Sequence, residues 1–154
     1  MKIRPALHSD LDTIRSLFYD VITTVNVNDY SPEEIKVWAS GAEDVERWKK
    51  KLSDQEFFVC EISEEIVGFT SLLNQNYIDH LYVSQHHQGL GIASKLLSFI
   101  ESKVKVYGTQ KVKSDVSITA RPFFEHKGYQ VVKRNEIQHK GEVLINFDVI
   151  KELS

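Results

Sequence analysis

Hydrophobic residues near the start of the chain follow first a strand pattern and then a helical one. Lys2 to Ala6 is predicted to form a short strand. Ser9 is then placed to cap a helix, because apolar side chains recur after it at helical spacing. These apolar positions are Leu11, Ile14, Leu17, Phe18, Val21 and Ile22. The pattern predicts a helix that buries one face.

A second helix is predicted to begin after Ser31. Ser31 can act as its cap, Pro32 suits its first turn, and Glu34 completes a capping box. The tryptophans of this segment, Trp38 and Trp48, are expected on its buried side. Gly41 lies between them, and a glycine inside a helix is a weak point at which the segment could break into two pieces.

The rest of the chain alternates β-rich runs with two further helices. The predicted strands are Phe57 to Ile62, Ile66 to Leu73, Tyr77 to Val83, Val112 to Ile118, Tyr129 to Asn135 and Val143 to Ile150. One helix runs from Ile92 to a stop at Gly108, and a short one covers Ala120 to Lys127. The predicted order is β-α-α-β-β-β-α-β-α-β-β.

Composition narrows the class of protein. A chain of 154 residues with 42% hydrophobic content suits one compact domain, so we expect residues 1–154 to form a single unit. The formal charge of -3 comes from mixed signs, which disfavours a nucleic-acid surface. We see no apolar block able to serve as a signal peptide or to cross a membrane, and the single Cys60 cannot form an internal disulfide. These features predict a cytoplasmic protein without a membrane partner.

The strongest chemical signal is the glycine-containing loop between the strand that ends at Val83 and the helix that begins at Ile92. A helix's first turn has unpaired amide groups and a partial positive charge, which together attract phosphate oxygens. Gly89 and Gly91 let the backbone approach a ligand closely, and Gln88 adds a side-chain amide donor. The loop is therefore suited to a pyrophosphate.

Two other classes of phosphate-binding loop do not match these residues. A dinucleotide-binding loop needs a third glycine where this chain has Ser94, and a nucleoside-triphosphate loop needs Gly-Lys followed by Ser or Thr, which does not occur. Hydride transfer and ATP hydrolysis are therefore disfavoured. The histidines lack metal-ligand spacing and cysteine partners, so we expect no metal.

At this point the chain resembles the GNAT superfamily of CoA-dependent N-acetyltransferases. Gln88, Gly91 and Ala93 match its phosphate-loop signature, and residues 120–129 look like its later segment of an aromatic pair, a glutamate and a glycine. The resemblance runs from Ile3 to Ile150. It implies an α/β fold of the α+β type, with a central mixed, mostly antiparallel sheet of about seven strands flanked by about four helices.

The same resemblance implies acetyl-CoA as co-substrate and a primary amine of a small molecule or peptide as acceptor. The strands ending at Val83 and near Ile118 would splay apart and admit the pantetheine arm, which would pair with backbone groups as a missing strand would. The residues expected to contact coenzyme A are Leu81, Tyr82, Val83, Gln88, Gly89, Leu90, Gly91, Ile92, Ala93, Ser94, Ser117, Ala120, Phe123 and Phe124.

Acyl transfer to an ammonium requires a base that removes a proton. Family members often carry it on the strand before the loop, which here gives Asp79 as first choice, with Tyr77 at the other family position. His80 is the second choice, because its ordinary pKa suits proton transfer but its side chain is expected on the opposite strand face. The alternatives are that Asp79 only ties down a neighbouring loop and that His80 is a hydrogen-bonded core residue.

The remaining site predictions concern the acceptor and the acid. Tyr77, Asp29 and Tyr30 are candidates to line the acceptor pocket, with a plain surface turn as the alternative for Asp29 and Tyr30. Many family members have a tyrosine at the position of Phe124, where it protonates the departing thiolate. Without it, the acid is Tyr82, water or absent, since a thiol with a pKa near ~8.5 is a tolerable leaving group.

Two other functions remain as alternatives, and the phenylalanine at position 124 favours the first of them. A non-catalytic acyl-CoA-binding sensor would bind without turnover, and a protein-interaction domain would use the glycine loop only as a turn. The acceptor is open among polyamines, aminoglycosides, amino acids, peptide termini and lysine side chains, because its pocket is built from loops. The final strands could pair across two copies of the chain, which would give a homodimer.

Overall fold

The computed structural model describes residues 1–153, which form seven strands and five α-helices. In chain order these elements are β1 (Lys2–Pro5), α1 (Leu11–Thr24), α2 (Pro32–Ala39), α3 (Val45–Asp54), β2 (Glu56–Ile62), β3 (Glu65–Leu73), β4 (Tyr77–Val83), α4 (Ile92–Val106), β5 (Lys111–Ser117), α5 (Arg121–His126), β6 (Gln130–His139) and β7 (Glu142–Glu152). Within this range no helix combines the length and the apolar character needed to cross a membrane.

All seven strands belong to one sheet, in the order β1-β2-β3-β4-β5-β7-β6. Every neighbouring pair is antiparallel except β4 and β5, which run parallel. The predicted mixed, mostly antiparallel sheet is confirmed. The last two strands extend past their predicted ends, because Lys140 and Gly141, with φ of +47° and +85°, form a tight turn directly between them.

Two helix groups cover the sheet. The first group, α1 to α3, packs against one face around a core that includes Ile14, Trp48 and Phe69. The second, α4 and α5, packs against the other face around a core that includes Leu97 and Phe124. The apolar faces of the predicted helices are therefore buried against the two sides of one sheet.

One of the two predicted helix starts near the beginning of the chain is confirmed and the other is wrong. Ser31 Oγ accepts from Glu34 N at 3.1 Å, and a Glu34 carboxylate oxygen accepts from Ser31 N at 2.7 Å, which is the predicted capping box. Ser9 caps nothing, because it lies inside a 3-10 turn before α1 begins at Leu11. The carboxylate of Asp10 accepts instead from Leu7 N at 2.7 Å.

Five helices form where four were predicted, because the second predicted helix is divided at Gly41. A 3-10 turn over Ser40–Glu43 separates α2 from α3. The new helix has its own cap, since Asp44 Oδ1 accepts from Arg47 N at 3.1 Å. The indole of Trp48 donates to the Gly41 carbonyl at 3.0 Å, which fixes the break against the core.

The parallel pair β4 and β5 separates soon after it forms. Only Tyr77 with Lys113 and Ile78 with Ser114 are in register, and Ser114 Oγ donates to the Ile78 carbonyl at 2.7 Å at that last pair. Beyond it the two strands diverge. The opening that results lies in the middle of the sheet, and we call its narrow end, at Ile78 and Ser114, the apex.

Candidate active site

A cavity of about 540 Å³ occupies the opening between β4 and β5. Its walls come from both strands, from the loop before α4, from α5 and from the α1 to α3 layer. The lining residues from β4 are Tyr77 and Asp79 to Val83, and those from β5 are Ser114 to Ser117. The cavity therefore reaches from one side of the sheet to the other through the gap that the splayed strands leave.

The loop between β4 and α4 is held in shape by a side chain. Gln88 Nε2 donates to the Val83 carbonyl at 2.7 Å and to the Ser84 carbonyl at 3.3 Å. Gly89 and Gly91 have φ of +75° and +80°, a region that side chains disfavour, and a Cβ added at either would meet no atom within 4 Å. The sequence needs glycine there for conformation, and the space beside both glycines is open.

The N-terminus of α4 has unpaired amides. Lys95 N donates to the Gly91 carbonyl at 3.1 Å as the first helical bond, so the amides before it lack an intrahelical acceptor. No side chain caps this end of the helix. Ile92, 1% exposed, anchors the first turn in the core beneath. The amides thus remain available to an anion.

The structure brings most of the residues predicted to contact coenzyme A to this one cavity. Its lining includes Leu81, Tyr82, Val83, Gln88, Ala93, Ser117, Ala120, Phe123 and Phe124. The other predicted contacts lie in the loop and first turn rather than in the lining: Gly89, Leu90, Gly91, Ile92 and Ser94. Of these, Ile92 and Ser94 could contribute backbone amides only, since the Ile92 side chain is buried and that of Ser94 lines a separate groove beside Phe99.

A β-bulge in β4 changes the expected relation between Asp79 and His80. Ser71 pairs with His80 and Leu72 with Ile78, so Asp79 is an extra residue without a partner on β3. The bulge interrupts the alternation of side chains. Asp79 Oδ2 consequently lies 3.4 Å from His80 Nδ1, and the prediction that these two side chains point to opposite faces is wrong.

Asp79 is held by the end of α3 and the residue that follows it. Gln55 Nε2 donates to Asp79 Oδ2 at 2.7 Å, and Lys51 Nζ lies 3.5 Å from the same oxygen. Burial acts to raise the pKa of Asp79, but the Lys51 ammonium and the Gln55 hydrogen bond outweigh it and hold that pKa below its usual value. Asp79 is therefore an ionised carboxylate at neutral pH.

His80 is a buried histidine with both ring nitrogens in contact with polar groups. Its Nδ1 lies 2.9 Å from Ser71 Oγ and its Nε2 lies 3.2 Å from Lys51 Nζ, while its ring packs 5.1 Å from that of Trp48. Burial lowers the pKa of His80 to about 3. Burial also lowers the pKa of Lys51. The ring is neutral at pH 7 and belongs to the core of the α1 to α3 layer.

The two predicted tyrosines of β4 have hydroxyls that keep their protons. Tyr82 lies between Phe18 and Phe69, at ring separations of 5.3 and 5.4 Å, and burial raises its pKa. Burial also raises the pKa of Tyr77, and the nearby Asp115 carboxyl raises it further. Both side chains line the cavity. Neither can act as a base near neutral pH.

Sequence reasoning missed a carboxyl pair at the apex. Asp115 of β5 lies directly opposite Asp148 of β7, and the two carboxyl groups are close enough to shift each other's pKa. Asn135 Nδ2 donates to Asp148 Oδ1 at 2.6 Å. Burial and the Asp148 contact raise the pKa of Asp115 to about 6, while Asp115 and Asn135 lower that of Asp148. The available signal was one aspartate among the apolar residues of each strand, but the pairing of the two aspartates depends on the register of β5 and β7.

Asp29 and Tyr30 do not line the cavity. Tyr30 is 8% exposed, and its hydroxyl donates to the Ile145 carbonyl at 2.6 Å and accepts from Ile118 N at 2.9 Å. Asp29 accepts from Thr119 Oγ1 at 2.7 Å. The prediction that this loop lines the acceptor pocket therefore needs correction, because the loop instead joins α1 and α2 to the ends of β5 and β7.

Phe124 is 3% exposed and packs edge-on against Tyr129, with ring centroids 5.1 Å apart. Phe123 lines the cavity and packs edge-on against the Phe124 ring, with ring centroids 5.5 Å apart. The aromatic pair of the later motif thus forms one wall of the cavity and part of the core beneath it. It presents no hydroxyl to the cavity.

Residues 26–150 match the acetyltransferase (GNAT) domain family. The chain is 34% identical over 147 residues to the uncharacterized N-acetyltransferase YafP of Escherichia coli (strain K12), a match that covers 96% of this chain and 93% of YafP. A crystal structure of a GCN5-related N-acetyltransferase from Rhodopseudomonas palustris superposes with a TM-score of 0.96 at 31% identity, covering 99% of this chain and 95% of that one.

A further solved structure has the same fold and holds a ligand. The PaiA N-acetyltransferase of Thermoplasma acidophilum, solved in complex with coenzyme A, superposes with a TM-score of 0.79 at 18% identity, covering 98% of each chain. With the family match over most of the chain and the identity to YafP, this chain belongs to the GNAT family of N-acetyltransferases.

Proposed function

We propose that this protein transfers the acetyl group of acetyl-CoA to a primary amine of a small molecule or peptide. One observation carries the proposal: the uncapped first turn of α4, with open space beside Gly89 and Gly91, lies next to the cavity between β4 and β5. A diphosphate at the helix end would leave a pantetheine arm directed along the diverging strands.

In this proposal the backbone supplies most of the coenzyme A contacts. Amides from Gly89 to Ser94 would donate to the diphosphate, in a loop that Gln88 holds by its bond to Val83. Backbone groups of Leu81 and Val83 would pair with the pantetheine arm beyond the last registered pair of β4 and β5. Support comes from PaiA, which shares the fold and was solved with coenzyme A.

The chemistry requires that the amine lose a proton before it attacks. An alkyl ammonium with a pKa near ~10.4 is almost wholly protonated at neutral pH, and deprotonation costs roughly 4 to 5 kcal/mol. Asp79, the first choice from sequence, has a lowered pKa, and its oxygen is shared by Gln55 and Lys51. We assign it the attraction of the cationic acceptor, since a strongly stabilised carboxylate is a weak base.

The departing sulfur does not need a strong acid. The Tyr82 hydroxyl keeps its proton and lines the cavity, so it can donate a hydrogen bond toward the sulfur. A thiolate with a pKa near ~8.5 then takes a proton from solvent. Transfer without a tyrosine at position 124 is chemically sound on this basis.

The test is release of coenzyme A thiol from acetyl-CoA with a panel that contains spermidine, an aminoglycoside, an amino acid and a lysine-containing peptide. We expect amine-dependent release with at least one of them. Asp79→Asn is expected to lower turnover while coenzyme A affinity is kept. Tight acetyl-CoA binding without thiol release for any amine would favour the sensor function instead.

A further inference from the structure

We propose that Asp115 is the general base that takes the proton from the acceptor amine, and that Asp148 is its positioning residue. This inference rests on the proposed acetyl transfer and deepens it. It starts from the apex, where β4 and β5 have their last registered pair, Ile78 with Ser114. Asp115 is the next residue on β5, so it lies at the point where the strands begin to diverge.

Asp115 is accessible to a ligand in a way that its partner is not. Asp115 lines the cavity and is partly open to solvent there, whereas Asp148 is less exposed and does not line the cavity. An arm that pairs with the backbone from Val83 toward the apex would bring its reacting end toward Asp115. A carboxylate at that point could touch the amine that attacks the thioester.

The groups around Asp115 and Asp148 give the two carboxyl groups different roles. From β7, Asp148 faces Asp115 across the strands, and from β4 the Tyr77 side chain lies near Asp115 while Asp79 adds negative charge. Behind Asp148, Asn135 donates at 2.6 Å and Lys133 adds positive charge from β6. The stabilised Asp148 keeps its charge, so a proton taken up by the pair resides on Asp115.

This arrangement suits a base better than the contacts of Asp79 do. A base works best when its pKa lies near the working pH, and the pKa of Asp115 is raised to about 6 by burial and by Asp148. The pKa of Asp79 is instead lowered by Lys51 and Gln55 despite its burial. Near neutral pH, Asp115 therefore binds a proton more readily than Asp79 does.

In the proposed transfer the amine nitrogen loses two protons in turn. The Asp115 carboxylate takes one proton from the ammonium, and the amine nitrogen then forms a bond to the thioester carbonyl carbon. The carbon–sulfur bond breaks as the carbonyl re-forms, and the thiolate leaves. The second nitrogen proton passes to the thiolate directly or through water, and Asp115 returns its proton to solvent. The net products are the acetylated amine, coenzyme A thiol and one proton.

The experiment measures thiol release from acetyl-CoA against pH with the best acceptor of the panel above. For Asp115→Asn we expect kcat at pH 7 to fall by about 100-fold or more, the size typical of a lost general base, while coenzyme A affinity is kept. The deficit should shrink toward pH 9, because the free-amine fraction of an alkylamine rises about 100-fold over two pH units. Asp20→Asn, an exposed aspartate of α1, is the matched control and should behave as wild type.

Asp148→Asn tests the positioning role. In the wild type, kcat/KM should fall as pH drops below about 6, as the base takes up its proton. Removing the second carboxylate should move this acidic limb to lower pH, a change that a merely structural residue would not cause.

Wild-type kcat in Asp115→Asn would overturn the assignment of the base, and an unmoved limb in Asp148→Asn would overturn the pairing. If Asp115→Asn failed to bind coenzyme A, its kcat could not test the base. The acidic limb of the Asp148→Asn profile would then decide whether the pair of Asp115 and Asp148 holds the catalytic proton. Absence of wild-type turnover with every amine would instead refute the proposed function itself.

Discussion

The side-chain amide of Gln88 donates to the carbonyl oxygen of Val83 at 2.7 Å, and this bond joins the end of β4 to the loop that precedes α4. Val83 is the last residue of the strand whose partner diverges, and Gln88 is the first residue of the glycine loop. The bond therefore couples the strand beside the proposed pantetheine path to the loop of the proposed diphosphate site. It also gives the loop its shape without help from a ligand.

Gln88→Ala should weaken coenzyme A binding by about tenfold, because the loss of one or two hydrogen bonds costs about 1 kcal/mol each and leaves the loop free to move. Isothermal calorimetry with coenzyme A measures this change. Gln85→Ala, in the same connection, is the control, since no side-chain hydrogen bond of Gln85 is among the contacts of the described chain. Equal affinities for wild type and Gln88→Ala would contradict the coupling.

Alanine substitutions at two glycines, one at each end of α4, can distinguish the effect of backbone strain from the effect of a lost ligand contact. Gly91 and Gly108 have φ of +80° and +79°, and a Cβ at either would meet open space. Each change to alanine should lower the free energy of unfolding by about 1 kcal/mol through the left-handed conformation. Only Gly91→Ala should also weaken coenzyme A binding, because only its Cβ projects beside the proposed diphosphate. A similar loss of affinity in Gly108→Ala would show that strain, not contact, is responsible.

Tyr30→Phe should destabilise the fold by about 1 to 3 kcal/mol, since its hydroxyl serves both Ile118 N and the Ile145 carbonyl and neither would keep this partner. Denaturant unfolding measures the change. Tyr19→Phe, at a residue 47% exposed on α1, is the matched control and should alter stability little. A Tyr30→Phe variant as stable as wild type would mean that water replaces the hydroxyl.

Stability should fall as the pH drops below 6.5, and His80 should be one cause. Burial lowers the pKa of His80 in the folded state below its ordinary value of 6.5. The unfolded chain therefore binds the extra proton first, and the stabilisation present above pH 6.5 is lost as the pH falls toward the folded pKa. One such group contributes a slope of at most about 1.4 kcal/mol per pH unit.

His80→Gln should flatten this part of the pH dependence, measured as the free energy of unfolding between pH 6.5 and 5. The exposed His126→Gln is the control and should leave the slope unchanged. If the slope survives in His80→Gln, the ring is already charged in the native core, and our account of its burial is wrong.

Sequence signals predicted the fold well wherever the residues that determine an element lie close together in the chain. The capping box at Ser31 depends on residues three apart, and the division at Gly41 follows from glycine's poor helix propensity. The Ser9 cap failed because Asp10 is engaged by Arg4 at 2.8 Å and by Leu7 N, and Arg4 belongs to a strand that local patterning does not relate to α1. Tertiary contacts decided that helix start.

The chemistry was harder to predict than the fold for the same reason. The glycine loop between β4 and α4 is a continuous segment, so its glycines could be read directly from the sequence. The contact between Asp79 and His80 depends on a bulge, and the pair of Asp115 with Asp148 depends on the register of β5 and β7. A shift of one residue in either register would separate these side chains, and no local signal fixes it.

The most direct test of the account compares the binding of coenzyme A with that of pantetheine, which lacks the phosphates, by calorimetry on the full chain. We expect coenzyme A to bind much more tightly, because the proposed contacts of the α4 amides and of the loop held by Gln88 are made only to its phosphates. We further expect this advantage to be reduced in Gly91→Ala. Equal heats for the two compounds would contradict the claim that this helix end binds the diphosphate.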